Sequence, residues 1–271
     1  MKRKRIGIAG CGAMGKKIAQ AIVKYFTKSA TLSALYDIER DKAHVLAASL
    51  RKRNIVAFSL KDLIKKSDLV IEAASATVSA EIATQALGAR RDCMVMSVGG
   101  LLSTPRVFDL AKKKGCRLYI PTGAIGGIDA LKAHRLAHIK RVTLTTRKPL
   151  SALQGSPYIV RKRIDLGAIK AETTIYEANA KRAVADFPQN INIAATLSLA
   201  GIGKERTKVK IVTSPAYSGN IHEIEVESDA GRTVIRCENK PSAQNLKTSY
   251  LAILSAIATL KQIFEPVKIG T

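Results

Sequence analysis

The stretch Ile6–Gly15, read Ile-Gly-Ile-Ala-Gly-Cys-Gly-Ala-Met-Gly, leaves few folds open: an apolar strand runs without a spacer into three glycines and then into an alanine-rich helical pattern. A tight glycine turn at the head of a helix brings phosphates onto free backbone N–H groups, which is what holding a dinucleotide pyrophosphate requires. Gly10, Gly12, Ala13, Met14 and Gly15 are therefore the expected cofactor turn, and the cofactor expected is a nicotinamide dinucleotide.

The residues after the turn keep to that plan. Lys16–Phe26 has helical apolar spacing, and Leu32–Tyr36 reads as a strand ending in Asp37, about 20 residues past the last glycine, where an acid accepts the ribose hydroxyl hydrogens of adenosine. A carboxylate there repels a 2′-phosphate, so Asp37 favours NAD, while Arg40 keeps NADP open. Helices are predicted at 41–52, at 59–65 with Ser59 as cap, at 77–87 and at 107–114; strands are predicted at 55–58, 69–72, 93–98 and 117–120. Doubly wound sheets place ligands at the carboxyl ends of their strands, which makes Ala74, Ser75 and Ser97 candidates for the nicotinamide edge. The fold class expected is α/β, with an N-terminal Rossmann dinucleotide-binding domain over residues 1–123.

Beyond the glycine-dense link 121–127 the periodicity changes. Helices are expected at 128–137, 180–187 and 192–200, and strands at 141–146, 172–176, 208–213, 220–226 and 233–237, with Ser228-Asp229-Ala230-Gly231 turning between the last two. Residues 124–240 read as an α+β catalytic domain with a mostly antiparallel sheet. The segment 241–271 holds a long apolar helix, about 248–264, expected to pack back on the nucleotide domain. Alternation in 220–226 puts Asn220, His222, Ile224 and Val226 on one face and three glutamates on the other, so His222 points inward. The pattern alone fits a structural His–Asn pair as well as a catalytic one. His44, His134 and His138 read as surface residues.

Charge is the feature that competes with this reading, since 45 Lys and Arg against 21 Asp and Glu give +24. The basic residues are dispersed, aromatic residues make up 4% and tryptophan is absent, so a dedicated nucleic-acid role is set aside in favour of a general attraction for small anions. Four scattered cysteines follow no metal-ligand spacing, and no metal is expected. No apolar run is long enough to span a membrane and no signal peptide is evident, so no membrane partner and a cytoplasmic location are the expectation.

Five segments carry a family resemblance over nearly the whole chain: 120–127 (IPTGAIGG), 145–149 (TTRKP), 187–201 (FPQNINIAATLSLAG), 220–224 (NIHEI), and 239–242 (NKPS) leading to 247–250 (KTSY). In these the chain resembles the L-aspartate dehydrogenases, with homoserine dehydrogenase a more distant relation. The resemblance implies NAD(P)-dependent conversion of L-aspartate to iminoaspartate and then to oxaloacetate and ammonia, with iminoaspartate also able to supply pyridine nucleotide biosynthesis. It implies a homodimer, matches His222 to the family's catalytic histidine, and matches Ala124 and Asn192 to cofactor-contacting positions. Gly99-Gly100 and the basic clusters Arg90-Arg91 and Arg161–Arg163 depart from the family pattern.

For such a substrate, His222 with an ordinary pKa near 6.5 would handle the amine proton, Asn220 would orient the ring or the substrate, and Lys148, Arg147, Thr196 and Ser198 would hold the two carboxylates. Two other readings stay open here: another amino-acid or semialdehyde dehydrogenase on the same scaffold, and a non-catalytic nucleotide- or nucleic-acid-binding protein.

Overall fold

In the computed structural model, which describes residues 3–187, 191–242 and 245–270, the first unit is built on a parallel sheet. Its chain order is β1 (Lys4–Ala9), α1 (Ala13–Tyr25), β2 (Ala30–Tyr36), α2 (Arg40–Ser49), α3 (Leu60–Lys65), β3 (Leu69–Glu72), α4 (Ala76–Gly88), β4 (Asp92–Val95), α5 (Arg106–Lys114) and β5 (Leu118–Tyr119). The sheet order is β2-β1-β3-β4-β5, with every pairing parallel. All four residues of β3 are buried, as a strand covered on both faces requires. Ser59 caps α3 by accepting the Asp62 N–H at 3.1 Å.

Two expected strands shrink. The 55–58 strand is reduced to a single parallel bridge, Leu35↔Val56. The 93–98 strand ends at Val95, and Val98–Leu101 turns into a 3₁₀ segment instead. Gly99 and Gly100 lie in that segment, and a Cβ on Gly100 would stand 2.1 Å from the Ala76 carbonyl oxygen, so close packing against α4 replaces extension.

The second unit runs α6 (Ile128–His134), β6 (Ile139–Pro149), α7 (Pro157–Lys162), β7 (Thr173–Asn179), α8 (Ala180–Asp186), α9 (Ile191–Ala200), β8 (Lys208–Ser214), β9 (Asn220–Ser228), β10 (Gly231–Asn239), β11 (Pro241–Ser242) and β12 (Asn245–Ser249). Its main sheet has the order β10-β9-β6-β8-β7, antiparallel except for the β6–β8 pair. One face of that sheet, with α6, α8 and α9, encloses a core that includes Leu131, Val142, Leu144, Leu197 and Ile224. The last helix, α10 (Tyr250–Phe264), starts two residues later than its apolar pattern suggests because β12 pairs with β11 through Ser249. Residues Ile253–Val267 belong with Met1–Pro121 in the first unit, and Thr122–Ala252 form the body of the second. Accordingly Ala256 and Leu260 are fully buried in the core that contains Ile6, Ile18 and Leu35.

Candidate active site

The glycine turn is shaped by three separate constraints. Gly10 has φ +100, and a Cβ there would stand 2.4 Å from the Ala73 carbonyl oxygen, so only glycine makes this turn. A Cβ on Gly15 would fall 1.9 Å from the Gly10 carbonyl oxygen, which fixes how closely α1 approaches the turn. Gly12 meets nothing within 4 Å and is exposed, leaving a side that a ligand can reach. Helix α1 starts at Ala13 with no side-chain cap and no acid in its first turn, so its amino end keeps its positive field for an anion. These features fit a dinucleotide pyrophosphate held by Gly10–Gly15, with Ala13 and Met14 opening the helix.

Asp37 follows β2 and is already tied to the turn. Its Oδ2 accepts the Cys11 N–H at 2.7 Å and its Oδ1 the Glu39 N–H at 2.9 Å. Each carboxylate oxygen has a second lone pair, so the acid stays able to accept a ribose hydroxyl while being held in one orientation. Cys11 itself is buried, and burial pushes its thiol up to about 12, which keeps it an inert packing group.

At the carboxyl edge of the same sheet stands a residue that periodicity does not single out. Glu72 ends β3 fully buried, accepts the Ala74 N–H at 2.8 Å through Oε1, and accepts the Ser97 N–H at 2.9 Å through Oε2. One carboxyl group thus pins both expected nicotinamide-edge loops, the one at Ala74-Ser75 and the one at Ser97. Burial raises its pKa, and the amides of Ser97, Ala74 and Met96 oppose that rise. An acid closing an otherwise apolar strand is the signal for it in the sequence. Ser75 is exposed at the head of α4, with its hydroxyl 2.7 Å from that of Thr77.

In the second unit, register lines up side chains on the inner face in rows. Cys237 pairs with His222 and His222 with Thr146. One row further, Asn239 pairs with Asn220, Lys148 pairs with Thr213, and Lys148 Nζ donates to Asn220 Oδ1 at 3.3 Å. In the opposite direction the rows become apolar, Ile235–Ile224–Leu144–Val209. The inner face therefore changes from hydrocarbon to polar groups toward Asn220, and His222 and Lys148 stand at the change.

Both are deeply buried, at 5% exposure each. His222 shares a hydrogen bond with Thr146 across 3.2 Å from Nδ1 to Oγ1. Burial first, and then the charge of Lys148, hold its pKa down at about 3, so the imidazole is neutral. The expected value near 6.5 is thereby corrected: this ring is not poised at neutral pH in the free protein. Lys148 lines a cavity of about 20 Å³ with Thr146, Phe187 and Ala194, and burial lowers it to about 8.

Two of the other expected ligands, Arg147 and Ser198, are engaged elsewhere. Strand β6 runs on to Pro149, so alternation turns Arg147 to the opposite face, where it pairs with Glu223 at 3.3 Å and Glu172 at 3.8 Å. It cannot join Lys148 at a substrate carboxylate. The Ser198 hydroxyl, 2% exposed, donates to the Ala194 carbonyl one turn back at 2.7 Å and is a helix-internal group. Thr196 is buried on α9, Asn192 is exposed at the start of that helix, and Ala124 is buried with its carbonyl accepting from Asn239 Nδ2 at 2.9 Å. Of the motif around α9, Pro188–Asn190 lie outside the described residues.

His134, expected at the surface, is buried and bridges Ser228 Oγ at 2.7 Å and Thr233 Oγ1 at 2.8 Å. Its spacing of three from the buried Leu131 and six from Ile128 marks it as an inward residue. Among the described residues there is no metal-binding cluster and no helix long and apolar enough to cross a membrane.

A glycine cradle on a parallel sheet, carried on one chain with a second unit presenting buried basic and imidazole groups, defines an NAD(P)-dependent dehydrogenase. Residues 10–121 match the family model described as the NAD binding domain of homoserine dehydrogenase, and residues 129–263 match the one described as the C-terminal part of aspartate dehydrogenase. The chain is 47% identical over 270 residues to an L-aspartate dehydrogenase of Methanosarcina barkeri, covering 98% of this chain and 99% of that one, and 40% identical to one of Methanocaldococcus jannaschii with the same coverage. The crystal structure of aspartate dehydrogenase from Thermotoga maritima is 25% identical with a TM-score of 0.75, covering 99% of this chain and all of the other. The chain belongs to the L-aspartate dehydrogenase family.

Proposed function

We propose that this protein oxidises L-aspartate with NAD(P)+ to iminoaspartate, which water converts to oxaloacetate and ammonium. The observation that carries the chemistry is the pairing of Lys148 with Asn220 and of Thr146 with His222 at the polar end of one sheet face. Lys148 is the cation for a substrate carboxylate, because a buried ammonium gains most from an anion that replaces its lost water. Asn220 orients what Lys148 holds, and Thr196 is a further hydroxyl for the substrate.

The dinucleotide, when bound through Gly10–Gly15, Asp37, Ala74, Ser75, Ser97, Ala124 and Asn192, would supply its nicotinamide as the hydride acceptor. Oxidation removes a hydride from the substrate Cα and needs the amino nitrogen as its free base, so one proton must leave that nitrogen. Neutral His222 is the group that takes it. A carboxylate seated on Lys148 cancels the positive charge that depresses His222, so substrate binding itself raises the basicity of the ring. Once it has passed that proton to solvent, the same ring takes a proton from the water that adds to the imine carbon and returns it to the nitrogen, which departs as ammonia.

Oxaloacetate formation is tested by following NAD+ and NADP+ reduction with L-aspartate, homoserine and alanine side by side. Turnover is expected with aspartate; turnover with homoserine or alanine in its absence reassigns the substrate. The assembly inferred is a homodimer, checked by light scattering on the purified chain.

A further inference from the structure

Beside β2, at the edge of the parallel sheet that the 55–57 segment covers, lies a cavity of about 1020 Å³, walled by α2, by the link 51–58 and by the end of α3. Arg40, Arg51, Lys52, Arg53 and Lys66 line it together with Phe58, and no lining residue is acidic. Elsewhere on the chain many cations sit on carboxylates, as in Arg5–Asp68 at 2.7 Å and Arg141–Glu225 at 2.8 Å. Among the described residues, Arg40, Arg51, Lys52 and Arg53 have no such partner within ion-pair distance, and only Lys66 does, with Asp62 at 2.8 Å.

The link that presents these cations is held in a specific conformation. Arg51 and Asn54 adopt left-handed φ values of 53 and 59, and the Lys52 N–H donates to the Ala47 carbonyl at 3.0 Å. This is a Schellman ending of α2, with Arg51 in the left-handed position after the helix, and asparagine is among the non-glycine residues that accept that region most readily, so local geometry fixes where the loop leaves the helix. Phe58 is 76% exposed, with the Arg40 guanidinium 5.1 Å and the Lys66 ammonium 5.8 Å from the ring centroid. A single exposed ring is ordinary on a protein surface. An exposed ring inside a groove of cations that lack carboxylate partners is what a nucleobase and its phosphates would use together.

We propose that this groove binds single-stranded polynucleotide, with successive phosphates on Arg40, Arg51, Lys52 and Arg53 and a base on Phe58. Its volume of about 1020 Å³ has room for more than one phosphate, and four of its cations lack a carboxylate partner among the described residues, which favours a chain of phosphates over one small anion. Arg51, Lys52 and Arg53 are consecutive in the sequence, and the fold brings Arg40 and Phe58 to the same groove.

The test is fluorescence anisotropy of fluorescein-labelled 12-mers of dT and of U on the full chain saturated with NADH, from 50 to 200 mM salt. Four phosphate contacts predict a log–log salt slope of about −2.8 and so about 50-fold weaker binding across that range. Lys52→Glu/Arg53→Glu, two exposed positions, should weaken binding by more than about 10-fold and halve the slope, with NADH affinity and dehydrogenase turnover unchanged. Phe58→Ala should weaken binding about 5-fold or more at an unchanged slope.

Several outcomes overturn the proposal: no saturable binding at 50 mM salt, unchanged affinity in the double variant, or displacement of the oligonucleotide when NADPH is added to saturation. Inorganic polyphosphate binding as tightly as the 12-mers, together with an inert Phe58→Ala, overturns it in favour of a site for bare phosphate chains.

Discussion

His222 owes its neutrality to where β9 places it, and that placement has two measurable consequences. Proton transfer by a positioned side chain is worth roughly 10²–10⁴-fold, so His222→Ala should lower kcat for aspartate oxidation by about that factor while NADH affinity, read by fluorescence titration, stays close to wild type. Retained turnover would remove His222 from the proton path. The second consequence is in stability. A folded-state pKa of about 3 lies below the unfolded value near 6.5, so between those values the unfolded chain binds a proton that the folded chain refuses. Stability from this group is complete above pH 6.5 and is lost as pH falls toward 3, on the order of 4 kcal/mol over the window. Urea unfolding of wild type and His222→Gln at pH 7 and pH 4 should therefore show the smaller acid loss in the variant. Lys148→Met keeps the stem that packs near Phe187 and Ala194 but removes the charge. Its expected effect is a KM for aspartate raised about 10- to 100-fold, the worth of a charge-assisted hydrogen bond, with NADH affinity unmoved.

Elements explain why some of this is legible in the chain and some is not. Apolar periodicity locates β3 to the residue, and Ser59 marks the start of α3 because a capping hydroxyl acts within one turn. Alternation in β9 is equally local, and it sorts His222 from the glutamates correctly. Arg147 escapes such reading because the end of a strand depends on how far its neighbours pair with it. Strand β8 pairs with β6 through Pro149, so Arg147, expected just past the strand's end, lies within it and on the face opposite Lys148. The 55–58 segment fails as a strand for the converse reason, since its pairing with β2 amounts to one bridge. Glu72 is invisible to periodicity, because its partners are two loop amides 2 and 25 residues away. Its role is nonetheless testable. Glu72→Gln keeps the shape but offers one amide oxygen where two carboxylate oxygens accept, so either the Ala74 or the Ser97 N–H faces another donor. A buried donor left unmatched costs about 1–3 kcal/mol. The variant should lose about that much stability in urea and bind NADH more weakly, while a variant with wild-type NADH affinity would show that pinning these loops does not matter to the cofactor.

At the scale of the whole chain, the two hydrophobic cores found among the described residues have no residue in common, and the first is completed from the far end of the sequence. Helix α10 places Ala256 and Leu260, both fully buried, into the core that contains Ile6, Ile18 and Leu35, and Phe264 lies 5.6 Å from Phe26 between ring centroids. The nucleotide-binding unit therefore depends on residues far along the chain from its first strand. Leu260→Ala should cost it about 2–5 kcal/mol, the range for opening a cavity in a packed core. NADH binds only the folded unit, so at about 100 times its Kd it returns about 2.7 kcal/mol. Scanning calorimetry should thus show a lowered transition for Leu260→Ala that NADH raises again. Leu197 is buried in the other core, and Leu197→Ala should lower a transition that NADH, held chiefly by first-unit residues, moves less. A single transition shifted equally by both substitutions and rescued equally by NADH would mean that the two cores unfold as one.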